Sequence, residues 1–458
     1  MASAAEQLAA NLRFATFRKA AELHKRIGFT LMALIAYRLG TYIPIPGIDP
    51  IAFSQAFSGQ AQGILGMFNM FSGGAVERMA IFSLNVMPYI SASIIVQLLG
   101  TVYPPWEKLR KEGGEAGRKT LNQYTRYLTV ILALFQSFAI ATGLQSSPGL
   151  VLNPGVFFLA STVVTLTGGT LLLMWLGEQI TSRGIGNGVS LIIFAGIVAV
   201  LPRGVWQMFA MTRTGSLSVL GVLAMAGLAA GVIVTIVFME RAQRRLLTQY
   251  PRRQTGSRSF GGDASFLPLK VNISGVMAPI FASSLLLLPT TAMGFLANAE
   301  LPAWAQWMPS VVGSLQHGQP AFVALYAALI VFFCFFYTTV MFNPEEVAEN
   351  LRKYGGFLPG IRPGRRTAEY LSYVIVRVTA IGALYITLVC LLPEILIGYY
   401  GIPFYLGGTS ILIVVSVTMD TVTAIQSHLV SHQYEDLIRK TRLRPVRAPV
   451  AQSRGAAG

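Results

Sequence analysis

Apolar stretches long enough to cross a bilayer alternate with short polar segments along nearly the whole chain. A hydrocarbon core about 30 Å thick needs roughly 20 mostly apolar residues per helix. The pattern predicts spans near 27–43, 79–100, 127–144, 156–176, 189–209, 219–238, 273–292, 321–342, 370–392 and 404–428. These runs lack the two-residue alternation of barrel strands, and in lipid the backbone must satisfy its own hydrogen bonds, so helices remain. The predicted fold is an all-α integral membrane protein of ten transmembrane helices.

Charge then sets the topology. The chain is 53% hydrophobic and 12% charged, with a formal net charge of +16 over 458 residues. Basic residues gather in short loops on the cytoplasmic side. Here they cluster before the first span (Arg13, Arg18, Lys19, Lys25, Arg26), after the second (Lys108 to Arg126), after the sixth (Arg241 to Lys270), after the eighth (Arg352 to Arg366) and in the tail from Ser431. The third, seventh and ninth loops carry none. Both termini are therefore expected in the cytoplasm. No small-residue cleavage site follows the basic N-terminal segment at signal-peptide distance, so that segment is expected to be retained.

The same pattern divides the chain into a cytoplasmic N-terminal segment (1–26), a first half with five spans (27–212), a second half with five (213–430) and a basic cytoplasmic tail (431–458). The second half carries two cytoplasmic loops, 240–272 and 343–369. Five spans per half make the second half enter from the opposite side, which predicts two inverted pseudo-repeat halves.

Between the first two spans lies GILGMFNMFSGGAVE, Gly63 to Glu77, apolar, glycine-bounded and too short to cross. Two readings stand: an amphipathic helix on the outer surface, or a movable stopper that folds back between helices. Polar groups at membrane depth, Asn85, Ser91, Ser93 and Gln97 in the second span, Gln136 in the third, and Asn272, Ser274, Ser283 and Ser284 at the seventh, fit either helix packing or a partly wetted, separable seam.

Enzyme chemistry is hard to place. Cys334 and Cys390 sit in apolar runs without a CxxC, which predicts core packing; the four histidines are scattered. There is no HExxH, GxSxG or phosphate-binding loop, and GIGNG at Gly184–Gly188 lacks the lysine such a loop needs. No catalytic residue, metal or cofactor is predicted. A secondary transporter with inverted repeats is the alternative; it needs a midplane ion site, and the spans offer only Asp420 deep in a helix and Glu178 at an end. Arg38, Arg377 and Asp420 lie within spans with no evident partner in the sequence and are expected to pair or to snorkel.

Several long strings carry a resemblance: MFNMFSGGAVERMAIFSLNVMPYISASIIVQLL, MWLGEQITSRGIGNGVSLIIFAGIV, LPLKVNISGVMAPIFASS, FFCFFYTTVMFNPEEVAENLRKYGGFLPGIRPG and PFYLGGTSILIVVSVTMD. They resemble the SecY family, the pore-forming subunits of the Sec protein translocase, almost end to end. The termini and the loop Ala297 to Gly318 match least. The resemblance implies an hourglass channel whose two halves hinge between spans five and six. Its waist would be an aliphatic ring of Val86, Ile90, Ile193, Ile280 and Ile413, with Val86 standing where isoleucine is common.

It further implies a plug over Gly63 to Gly74 (Ile64, Leu65, Met67, Phe68, Asn69, Met70, Phe71) and a lateral gate of spans two, three, seven and eight, with Ser91, Gln136 and Asn272 in its polar cluster. Arg252, Arg253, Arg258 and Arg362 are the candidates for docking the ribosome, through rRNA phosphates, or the SecA motor ATPase. Other implied partners are SecE-like and SecG-like small membrane subunits, signal sequences and unfolded polypeptide; headgroup attraction of the basic loops adds anionic lipids.

Overall fold

The computed structural model describes residues 21–60, 69–111, 113–146, 149–214, 218–250, 253–255, 258–260, 264–296, 319–400 and 408–442. Ten helices among the described residues fall on the ten predicted spans, some of them starting later than predicted. In chain order the helices are α1 (Ala21–Gly40), α2 (Pro50–Gln60), α3 (Met87–Val102), α4 (Pro104–Lys111), α5 (Gly114–Ser146), α6 (Val156–Arg183), α7 (Gly188–Arg213) and α8 (Val219–Arg241). After a stranded loop come α9 (Met277–Leu296), α10 (Pro320–Met341), α11 (Pro344–Lys353), α12 (Arg365–Tyr400) and α13 (Gly408–Arg442). The spanning set is α1, α3, α5 to α10, α12 and α13; α2, α4 and α11 are short connectors.

Local chemistry sets several of these ends. The Asn187 side chain accepts from the backbone N–H groups of Val189 and Ser190 at the start of α7, and Ser218 and Asn343 do the same for α8 and α11. Each cap satisfies a donor that a helix N-terminus leaves orphaned. The apolar belt faces outward where lipid would lie: Leu220, Leu223, Val234 and Phe238 of α8 are all exposed. α8 is the least buried of the long apolar helices.

The second span departs from its prediction of 79–100. Its helix starts at Met87, with Pro88 in the first turn, where a proline's missing N–H costs nothing. Residues 72–86 instead run as successive turns, with left-handed backbone at Met79 (φ 45°) and Asn85 (φ 50°). The 16 residues of α3 rise about 24 Å at 1.5 Å each, short of a full crossing, so the buried turn segment makes up the rest. The seventh helix likewise begins later than predicted, at Met277, because Asn272 to Val276 form a turn.

The loop after α8 is stranded. β1 (Gln243–Gln249) pairs antiparallel with β4 (Ala264–Lys270) in the register Gln243↔Lys270 to Gln249↔Ala264, and β2 (Arg253–Thr255) pairs with β3 (Arg258–Phe260). Gln249 and Phe357 exchange backbone hydrogen bonds of 2.9 and 3.0 Å, which ties this loop to the one between α11 and α12. Leu246, Leu269, Leu358 and Leu371 share a small core beneath them. The loops after α8 and after α11 are thus one packed unit.

The main core runs through the middle of the bundle and draws on α1, α3, α6 to α10, α12 and α13. Across it α9 packs on α3 and α5 of the first half as well as on α10, while α13 packs on α7.

Candidate functional site

Within that core the chain buries aliphatic side chains from four separate elements. Val86 lies just ahead of α3 and Ile90 in its first turn, Ile193 in the second turn of α7, Ile280 in the first turn of α9 and Ile413 in the second turn of α13. Val86 and Ile413 are fully buried, Ile193 is 3% exposed, and Ile90 and Ile280 are 5% exposed. All five belong to one continuous apolar cluster. A buried aliphatic cluster of this kind offers water no hydrogen bonds.

Over this cluster sits the end of the glycine-bounded segment. Ile64, Leu65, Met67 and Phe68 lie outside the described residues. Asn69, Met70 and Phe71 form a helical turn, and polar contacts from four directions hold this turn and the glycines after it. Asn85 Nδ2 donates to Phe71 O at 2.7 Å, Tyr37 OH donates to Ser72 O at 3.1 Å, and Arg38 donates to Gly73 O at 2.5 Å. Ser410 Oγ of α13 meets Met70 Sδ at 3.4 Å. Asn69 accepts from Glu77 N at 2.9 Å, and Glu77 is paired with Arg203 of α7 at 2.8 Å.

Gly73 and Gly74 are therefore seated turn residues (φ 68° and 84°). Gly73 lies against Gly196 of α7. A Cβ there would run into Phe71 O and come within 3.0 Å of Tyr37 OH and 3.2 Å of Gly73 N. A glycine inside an apolar helix reads as ordinary packing, so sequence reasoning passed over it.

The polar seam residues fall on three elements. Ser91 is buried on α3, and Gln136 is half-buried on α5. Asn272 is buried just before α9, where its Nδ2 donates to Glu240 Oε1 of α8 at 2.6 Å and its Oδ1 accepts from Ser274 Oγ at 3.0 Å and Gly275 N at 2.9 Å. Glu240 was not singled out from the sequence, because one acid at a helix end reads as an interfacial charge. It lines a cavity of about 200 Å³ together with Lys270, Asn272, Ser416 and Asp420.

The intramembrane charges thus acquire surroundings that their sequence neighbours do not reveal. Asp420 faces the same cavity as Lys270. Arg38 holds the chain at Gly73 and also reaches Tyr42 OH at 3.0 Å. The Arg377 guanidinium stacks 3.7 Å over the Tyr373 ring, a cation–π contact.

Of the docking candidates, Arg252 and the side chains of Arg253 and Arg258 lie outside the described residues; the backbones of Arg253 and Arg258 are in β2 and β3. Arg362 is exposed in the neighbouring loop, its carbonyl accepting from Thr367 Oγ1 at 3.0 Å. Among the described residues no three His, Cys, Asp or Glu side chains are grouped as a metal site would need.

With this geometry in place, comparison with known proteins is direct. The SecY family model matches residues 80–422. The protein translocase subunit SecY of Rickettsia bellii is 50% identical over 428 residues, covering 92% of this chain and 97% of that one. The Escherichia coli protein of the same name is 50% identical over 426 residues, covering 92% and 95%. Among solved structures, a protein conducting channel superposes with a TM-score of 0.66 at 16% identity, covering 89% of this chain and 93% of that one. Sec61 in a canine ribosome–channel complex gives 0.62 at 17%, with the same coverage. At those identities the structures speak for the fold, and the fold is that of ten-span channels. The sequence match over most of the chain settles the lineage: this multi-pass membrane protein belongs to the SecY family.

Proposed function

We propose that this chain is the pore-forming subunit of a protein-conducting channel that moves unfolded secretory polypeptides across the bacterial cytoplasmic membrane and releases apolar segments sideways into it. The observation that carries this is the waist: five aliphatic side chains from α3, α7, α9 and α13, drawn from both halves of the chain, converge in one buried cluster with a polar-anchored segment lying against it. A greasy collar holds no substrate residue tightly and seals by excluding water. In this reading Val86, Ile90, Ile193, Ile280 and Ile413 are the pore ring, residues 63–74 the plug, and the seam of α3, α5, α9 and α10 the lateral gate.

The gate sorts by solvation. On insertion scales leucine gains a few tenths of a kcal/mol at the bilayer centre, while arginine costs about 2.5 to 3.5. A seam that opens toward lipid therefore releases apolar segments and retains polar ones, and Ser91, Gln136 and Asn272 keep it partly wettable. The two halves are 27–212 and 213–430, both termini lie in the cytoplasm, and the loops 240–272 and 343–369 project there. Arg252, Arg253, Arg258 and Arg362 dock rRNA phosphates of the ribosome or the SecA motor, which supplies the energy; the chain itself performs no hydrolysis. Small SecE-like and SecG-like subunits flank it, and anionic lipids neutralise part of its basic surface. The structural relatives in ribosome-bound complexes support this choice of partner.

Reconstitution tests the function. Vesicles holding this chain with its small companions should import a secretory precursor when supplied with the motor ATPase and ATP. Uptake of a small solute or ion in exchange for a gradient, with no precursor import, would return the transporter reading.

A further inference from the structure

Glu240 is the penultimate residue of α8, and its carboxylate receives the Asn272 amide at 2.6 Å, the short separation of a charge-assisted hydrogen bond. Asn272 has no freedom left after this contact. Its Oδ1 takes the Ser274 hydroxyl and the Gly275 N–H, while its Nδ2 also reaches Gly275 O at 3.3 Å. Ser274 in turn contacts Cys334 Sγ of α10 at 3.6 Å. Gly275 carries φ 57°, and Met277 N donates to Ser274 O at 3.2 Å, so the Asn272 side chain builds the turn from which α9 starts. One turn later stands Ile280 of the waist.

We propose that Glu240 is a positioning residue of the lateral gate: by holding Asn272 against the end of α8 it sets where α9 begins, and so keeps α9 closed against α3 and α5. This rests on the channel reading given above. The surroundings favour a device that yields. The cavity beside the pair is lined by Asn187 and Ser190 at the start of α7 and by Lys270, Ser416 and Asp420, so polar groups and room for water stand next to the pair when it parts. Lys270 offers the carboxylate a compensating cation while the gate is shut.

A spin-label distance measures the gate directly. Leu99→Cys on α3 and Leu285→Cys on α9 are exposed positions on the two sides of the seam, and the native cysteines are buried. In the complex without cargo, Glu240→Ala should raise the open fraction about tenfold or more, as loss of a hydrogen bond to a charged group implies. It should also admit precursors whose signal segments have been made less apolar. Asn272→Asp, which faces two carboxylates together, should open the gate as well. Combining it with Glu240→Gln restores an amide–carboxylate pair with the polarity reversed and should close the gate again.

Rescue by the swapped pair is the outcome that a merely structural role would not give. A wild-type distance distribution in both single variants would overturn the proposal, as would a swapped pair that stays as open as Asn272→Asp. If Glu240→Ala fails to accumulate, the Asn272→Asp and swapped-pair comparison decides alone. Contact of cargo with the waist of the wild-type chain tests the channel reading separately, so the two failures are distinguishable.

Discussion

Gly196→Ala is the sharpest perturbation that the plug contacts permit. The added methyl would collide with Phe71 O and crowd Tyr37 OH at 3.0 Å and Gly73 N at 3.2 Å. Two of these groups are backbone atoms of a turn already held by Asn85, Tyr37 and Arg38, so neither can swing aside, and the Tyr37 hydroxyl is tied to Ser72 O at 3.1 Å. Overpacking of this kind costs roughly 1–3 kcal/mol, while each neutral bond seating the turn contributes about 0.5–1.5 kcal/mol. The clash is therefore worth one or two of those anchors. At 1.4 kcal/mol per factor of ten, the seated fraction should shift by roughly five- to a hundredfold toward release.

Ion conductance of vesicles containing the idle channel reads that shift as a raised leak. Gly168→Ala is the matched control: it lies on α6, and no atom comes within 4 Å of a Cβ there. It should leave the leak unchanged and, if anything, favour the helix by up to about 1 kcal/mol. Equal leak from Gly196→Ala, Gly168→Ala and the unaltered chain, at equal amounts in the membrane, would refute the account of how the plug is seated.

Three further outcomes are expected. Ile193→Ser with Ile280→Ser places two hydroxyls in a dry collar, forfeiting about 1.5–3 kcal/mol of apolar burial at each site; single-channel recording should show steady ion current from the idle channel, and silence would argue against the ring. Glu77→Gln removes the charge that joins Arg203 to the Asn69 side chain, so a milder leak than that of Gly196→Ala should appear, and because the Arg203 side chain is exposed its difference from the unaltered chain should shrink in high salt. Arg252→Glu with Arg253→Glu should weaken ribosome or motor binding, with a shallower dependence on salt than the unaltered chain shows; unchanged affinity at low salt would remove these arginines from the docking surface.

Hydropathy made the ten spans legible because a 30 Å apolar slab demands long runs that few other pressures produce. Where α3 begins was hidden for the same reason. MAIFSLNV is as apolar as the helix after it, yet it is buried against protein as turns, and hydropathy cannot separate the two. The hairpins were missed because β1 and β4 alternate only weakly, and Pro268 within β4 argues against a strand by composition. The proposed waist residues could be singled out only through family resemblance, since a buried isoleucine in an apolar helix carries no mark of its role. Gly196 and Glu240 escaped because their importance lies in what touches them from distant parts of the chain, Phe71 in one case and Asn272 in the other.

Site-specific crosslinking of a stalled secretory chain tests the central claim most directly. With photoreactive side chains at Ile90, Ile193, Ile280 and Ile413 in turn, the polypeptide in transit should crosslink to all four. Capture at none of them, while the same precursor is imported at the normal rate, would place its route elsewhere and contradict the account.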